Sequence, residues 1–185
     1  MSYRTRSTAP PYTSRSFNSP LSIHIAYTAH PKDIKWMKFC VEGAKIFSTC
    51  AKQQYMAILV DPNGVIDSTG YNGSPTGFPH CIDGGCPRQR NGVPSGTPYD
   101  HGDGLCYAIH AEMNCLIHSD LSKRKGGTLY VNGVPCFGCA KVLVNSGLGR
   151  VIYLEEDFNR DGTSNVLELF EKSKTQLRHV RIKDL

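Results

Sequence analysis

The chain has 185 residues, 39% of them hydrophobic, which suffices for one domain with its own core and leaves no apolar run long enough to cross a membrane. Eight cysteines, in a chain whose first residues lack a signal-peptide pattern, argue against a secreted disulfide scaffold and for reduced thiols in the cytoplasm. The formal net charge of +5 is dispersed, with one short run at Lys123, Arg124 and Lys125, so it does not form the basic patch with stacking aromatics that marks a nucleic-acid binder.

Residues 1–20 are polar and rich in Pro, Ser and Thr, with Arg4, Arg6 and Arg15 as their charges; a flexible or subunit-contacting leader is expected, followed by a single domain over 21–185. Residues 31–49 open on a proline and place Ile34, Met37, Val41, Ala44 and Ile46 or Phe47 at helical spacing, with Trp36 and Phe39 packing on a sheet. Residues 55–60 and 65–68 read as strands joined by the Asp61-Pro62-Asn63-Gly64 turn, an antiparallel hairpin. Residues 70–104 hold too many Gly and Pro for regular structure, yet are too long for an idle connector. Cys81, Cys86, His101 and Cys106 fall in or just beyond them, so a lid or a metal-pinned loop is expected.

Residues 108–121 predict one helix starting near His110, with Ile109, Met113, Leu116 and Ile117 on one face. Residues 128–132 predict a strand, after which Pro135 and Cys136 open a helix that Gly147 ends. A strand at 150–154, a helix at 165–174 with Val166, Leu169 and Phe170 inward, and an edge strand at 176–180 complete the chain. The alternation implies parallel pairing through right-handed crossovers, and hence a three-layer α/β/α domain.

His110 and Glu112 form H-x-E, and Pro135, Cys136 and Cys139 form P-C-x-x-C. Alone, each residue reads as a packed side chain, a redox pair or half of a zinc knuckle. Together they are the zinc-deaminase signature: His110, Cys136 and Cys139 supply three ligands, the fourth position stays open to water, and Glu112 remains to carry protons. A second, structural zinc is expected on Cys50, Cys81 and Cys86, with His101 or Cys106 completing it; the alternative is that Cys50 and Cys106 are buried small hydrophobes.

Longer stretches accompany these motifs: STC at 48–50, STGYNGSPTGFPHC at 68–81, GCPR at 85–88, C-x-x-x-HAEMN from Cys106, and TLYV-x-x-x-PC-x-x-CAK from Thr128. Over about residues 32–157 the chain therefore resembles the deoxycytidylate deaminase family of the cytidine-deaminase superfamily. The resemblance implies a mixed five-stranded sheet with the hairpin at its N-terminal side. It also implies hydrolytic deamination of dCMP to dUMP and ammonia, supplying dUMP for thymidylate synthesis. A hexamer is implied as well, activated by dCTP and inhibited by dTTP, each with Mg²⁺. Asn72, flanked by Gly70 and Gly73, is the candidate for the deoxyribose 3′-hydroxyl or nearby polar atoms, the alternative being a turn residue that bonds its own backbone; Tyr71 is a candidate for stacking or a subunit contact, and Gly73 and Ala111 for substrate or effector binding. Lys52, Arg88 and Arg90 are candidates for the phosphate. Phe158 stands where a phosphate-holding Tyr is common in the family, Cys115 where Ala is usual, and Met56 where a Gly lies close to the pocket wall. The alternatives are a deaminase of another free cytosine nucleotide (dCTP or CMP), a deaminase of polynucleotide cytosine, and a zinc-containing nucleotide-binding protein without turnover.

Overall fold

The structure is a computed structural model that describes residues 26–94, 97, 99, 105–154 and 163–185. The leader expected over 1–20, His101 and Phe158 lie outside the described residues. In order, the elements are β1 (Ala26–Tyr27), α1 (Pro31–Phe47), β2 (Met56–Val60), β3 (Ile66–Tyr71), α2 (Pro87–Arg90), α3 (Ala111–Ile117) and α4 (Leu121–Arg124). They continue with β4 (Thr128–Val131), α5 (Phe137–Leu143), β5 (Arg150–Leu154), α6 (Thr163–Glu171) and β6 (Gln176–Val180).

The strands form one mixed sheet in the order β1-β6-β5-β4-β2-β3. β2 is antiparallel to β3 and β4, whereas β4, β5, β6 and β1 run parallel. The α/β class and the hairpin are as expected, but the sheet has six strands rather than five. The additional strand is two residues long, with Ala26 opposite Arg178 and Tyr27 opposite His179, too short to leave a periodic signal in sequence. Side chains fix it: the Arg181 guanidinium lies 3.9 Å from the Tyr27 ring centroid, and the Tyr27 hydroxyl donates to Asp184 at 2.8 Å. Residues 176–180 are consequently flanked on both sides and do not form the edge.

Alternation along β2 makes the three layers. Met56, Ile58 and Val60 face α1 in one core with Met37, Cys40 and Ala44. Ala57 and Leu59 face α3, α5 and α6 in the other, with Ala111, Cys115, Ala140, Leu143, Val166 and Phe170. Each fully buried Leu or Ile in these layers stabilises the fold by about 1.5–3 kcal/mol relative to its exposed state. Met56 therefore lies on the opposite face of the sheet from α3, away from the pocket wall. It fits because α1 offers Gly43 there: a Cβ on that glycine would meet the Met56 sulfur at 2.3 Å.

Two helices differ from expectation. On α1 the inward positions are Met37, Cys40, Gly43 and Ala44; Phe39 is exposed, Ile46 is 73% exposed, and Trp36 is half-buried against Tyr130 at 6.4 Å. The inward set also includes Asp33, which is 1% exposed and accepts from the Thr28 and Tyr130 hydroxyls at 2.7 Å each, with Arg150 at 3.3 Å. A buried carboxylate persists only with such partners. The helix expected over 108–121 is two short helices, because the Asp120 side chain accepts from the Ser122 backbone N–H at 2.7 Å and starts α4. Ile117, expected inward, is 64% exposed; Ala111 and Cys115 take the core positions of α3.

Candidate active site

The site lies where α3 and α5 begin. His110 is the N-cap of α3, in extended conformation with φ −70° and ψ 151°. Ile109 and Gly73 hold its approach by pairing their backbones, with N–H···O distances of 2.8 and 3.2 Å. The Asn114 side chain donates to the Tyr71 carbonyl at 2.8 Å, tying α3 to the end of β3. Gly70 lets the two approach more closely still, since a Cβ there would lie 2.2 Å from the Cys115 nitrogen and 2.4 Å from the Ala111 oxygen.

Cys136 caps α5, its sulfur accepting from the Cys139 N–H at 3.4 Å. Each of the two sulfurs is 3.4 Å from His110 Nδ1, and the three donor atoms lie within 4.8 Å of one another. Tetrahedral zinc with Zn–S near 2.3 Å and Zn–N near 2.0–2.1 Å requires S···N of about 3.5 Å, so the donor set fits zinc by spacing as well as by chemistry. Hydrogen bonding from Cys139 holds the Cys136 thiol down to about 4, while the same contact and burial push Cys139 well up.

Glu112, in the first turn of α3, is 5% exposed. Loss of water pushes its carboxyl above the usual range, offset in part by its backbone hydrogen bond and by His110. His110, Glu112 and Cys136 line a cavity of about 280 Å³ together with Lys52, Asn72 and Ala111. The Asn72 amide is largely committed to the protein. Its Oδ1 accepts from the Ser48 hydroxyl at 2.5 Å and the Tyr55 N–H at 2.9 Å, and its Nδ2 donates to the Gln53 carbonyl at 2.8 Å. Both oxygen lone pairs are used, and the second Nδ2 hydrogen is what Asn72 has to offer the cavity. Tyr71 and Gly73 are outside the lining; Tyr71 stacks on Phe47 with centroids 6.1 Å apart.

Tyr55, Tyr99, Val131 and Val134 line the cavity and were not singled out in the sequence. An alternating strand signal flags Val131 as core, but nothing in the pattern says that a strand end opens on a pocket. Cys50 and Cys106 also face the cavity, so the loop beyond β3 forms one of its walls. Cys50, Cys81, Cys86 and Cys106 are all free thiols. Burial is the first cause raising the Cys81 and Cys106 thiols, and both also feel the negative charge of Cys50 and Cys86. Among the described residues, however, the one group with three donors at metal-ligand spacing is His110, Cys136 and Cys139. Among the described residues no helix is long and apolar enough to cross a membrane.

Residues 30–155 match the family model of the cytidine and deoxycytidylate deaminase zinc-binding region. The chain is 39% identical over 110 residues to a deoxycytidylate deaminase of Mycobacterium phage D29, covering 59% of this chain and 84% of that protein. It is 32% identical over 147 residues to a deoxycytidylate deaminase of Schizosaccharomyces pombe, covering 77% of this chain but 43% of that longer protein. Its fold is similar to that of the dCMP deaminase from cyanophage S-TIM5 in complex with dCMP and dUMP. The TM-score there is 0.53 at 23% identity, covering 80% of this chain and 94% of that one.

Proposed function

The chain belongs to the cytidine and deoxycytidylate deaminase family of zinc-dependent hydrolases, and from that premise we propose that it converts dCMP and water to dUMP and ammonia. The observation that carries the reading is a buried carboxylate, Glu112, beside a separate His–Cys–Cys donor set at one cavity wall. Zinc held by His110, Cys136 and Cys139 would supply a water acidified from 15.7 towards roughly 7. Glu112 would take a proton from the attacking water and pass it to N3 of the cytosine as the oxygen adds to C4. It then carries the second proton to the exocyclic nitrogen, so that the C4–N bond breaks and ammonia leaves. A carboxyl raised by burial suits this two-way traffic, because its protonated form is not prohibitively acidic.

Support for dCMP comes from the relatives' names and from the cavity. A volume of about 280 Å³, walled by the segment that carries Tyr99 and Cys106, suits one nucleotide better than a strand whose flanking residues must also be housed. The test is turnover of dCMP, CMP, dCTP, deoxycytidine, dAMP and single-stranded DNA under one condition. The expected result is the highest kcat/KM for dCMP; turnover of DNA alone would overturn the closed-pocket reading, and a chain with zinc but no turnover would be a binding protein.

The second zinc on Cys50, Cys81, Cys86 and His101 or Cys106 belongs to the same proposal, supported by the influence of Cys50 and Cys86 on the Cys81 and Cys106 thiols. Purified protein is expected to hold two zinc atoms per chain, with Cys81→Ser losing one and melting earlier. A ratio near one, together with an unchanged Tm in that variant, would remove the site. The single domain over 21–185 with its leader, the cytoplasmic setting, the hexamer, and activation by dCTP and inhibition by dTTP with Mg²⁺ rest on the sequence and the resemblance. In this reading the product feeds thymidylate synthesis. Phe158 and His101 keep their assigned roles as part of the proposal.

A further inference from the structure

Asn72 and Asn132 each stand one residue past the end of a strand that flanks β2, since β3 ends at Tyr71 and β4 at Val131. Both flanking strands are antiparallel to β2, and both leave it at this point. The chain after β3 runs to Gly73, which pairs with Ile109 just ahead of His110, and the chain after β4 runs through 133–135 to Cys136. Gln53 and Tyr55, on the segment that enters β2, line the cavity at this divergence. Backbone groups that lose their strand partners are paired elsewhere in folded proteins. Here two side-chain amides take them. Asn72 Nδ2 donates to the Gln53 carbonyl at 2.8 Å while its Oδ1 accepts from the Tyr55 N–H at 2.9 Å. Asn132 Nδ2 donates to the Gln54 carbonyl at 3.0 Å while its Oδ1 accepts from the Met56 N–H at 2.7 Å. Each amide thus holds the carbonyl of one residue and the N–H two residues on, the groups that face one edge of an extended strand. One asparagine serves the β3 edge of residues 53–56 and the other serves the β4 edge.

We propose that Asn132 is a positioning residue for the reaction, standing in for a continued β4 so that Tyr55 is held in fixed relation to the turn that delivers Cys136. The proposal rests on the deaminase reading above. Asn132 lies outside the cavity lining, whereas Val131 and Gly133 on either side of it belong to the lining, so it acts through its neighbours. Its backbone and side chain close a ring on one residue: the Asn132 N–H donates to the Met56 carbonyl at 3.3 Å, and the Met56 N–H returns to Asn132 Oδ1. This ring is the last tie between the two chains before one departs for the metal ligands. Without the amide, residues 53–55 are free to part from 133–135 while the ladder from Ala57–Val131 to Val60–Thr128 stays whole. The effect is therefore local to the site. Asn72 makes the matching bracket but lines the cavity itself, so Asn132 is the position that separates positioning from contact.

The test compares full-length parent protein with Asn132→Ala, Asn132→Asp and Asp61→Ala. Asp61 stands just past the far end of β2, where its Oδ1 accepts from the Asn63 and Val65 N–H groups at 2.9 Å each. Its truncation removes side-chain bonds to backbone from the same strand without approaching the cavity. Values of kcat and KM for dCMP are measured on zinc-loaded protein, and visible absorption is recorded with cobalt(II) in place of zinc, because its d–d bands follow the geometry of the donor set. Asn132→Ala is expected to lower kcat/KM about tenfold or more, on the scale of a small misplacement at the site, and to shift the cobalt bands. Asn132→Asp keeps the acceptor for Met56 but loses the donor to Gln54, so a smaller loss of about threefold is expected, with a smaller shift. Asp61→Ala is expected to match the parent in both readouts even where it melts earlier. Parent-like kinetics and bands in Asn132→Ala, or equal losses in Asp61→Ala, overturn the proposal. If Asn132→Ala fails to fold, Asn132→Asp decides, and parent-like values there overturn it. No ammonia from any cytosine compound with the parent, while the cobalt bands still shift in Asn132→Ala, would refute the proposed reaction and leave the positioning of the Cys136 turn standing.

Discussion

Replacing Glu112 by Gln is expected to leave the fold and the metal content as they are and to lower deamination by about 10²–10⁴-fold, the usual contribution of a positioned proton carrier. The amide keeps the shape of the side chain, which matters at a position 5% exposed and packed beside Cys139. It cannot accept the water proton, cannot protonate N3 and cannot release the amino group, so every proton step is lost together. The donor set is separate from this carboxylate: His110, Cys136 and Cys139 supply three donor atoms at metal-ligand spacing without it. Metal content, Tm and kcat measured on one preparation check the outcome. Unchanged metal and Tm with activity within threefold of the parent would remove Glu112 from the mechanism.

The second large effect is expected at Gly70, which touches no substrate. A Cβ at this position would lie 2.2 Å from the Cys115 nitrogen, 2.4 Å from the Ala111 oxygen and 2.8 Å from the Asn114 carbonyl carbon, all of them backbone atoms. Backbone of a helix cannot rotate aside, so Gly70→Ala must push α3 off β3. The cost of such overpacking is typically about 1–3 kcal/mol. Because α3 carries Glu112 and is capped by His110, a shift on the order of 1 Å also misplaces the proton carrier, which can cost about 10²-fold in rate. Gly73→Ala is the informative contrast. There the new Cβ meets the Thr49 hydroxyl at 2.3 Å, a side-chain atom that a rotamer change can withdraw, so a smaller loss is expected. Equal kcat in Gly70→Ala and the parent would show that α3 is not held by this contact.

The sequence by itself determined the chemistry and most of the layers. H-x-E and P-C-x-x-C name their residues by local spacing, because an N-cap and the helix turn that follows it bring side chains together over three or four positions. The strands at 56–60, 128–131, 150–154 and 176–180 and the helices at 31–47 and 163–171 were legible for the same reason: periods of 2.0 and 3.6 are local. What sequence could not supply were relations between distant segments. In sequence Met56 stands where a residue lies close to the pocket wall, but the alternation of β2 turns it to α1, where Gly43 leaves room for it. The two-residue β1 exists through Tyr27, Arg181 and Asp184, partners at the far end of the chain. In sequence Asn72 is a candidate for the substrate, and only the fold reveals that Ser48, Gln53 and Tyr55 already occupy most of its amide. Lys52 and Arg88 look alike as letters; the fold buries Arg88 against the Tyr99 ring and leaves Lys52 exposed at the cavity. Spacing along the chain fixes which groups share a helix turn, whereas burial and the pairing of remote polar atoms are set only when the sheet and its two helical layers close.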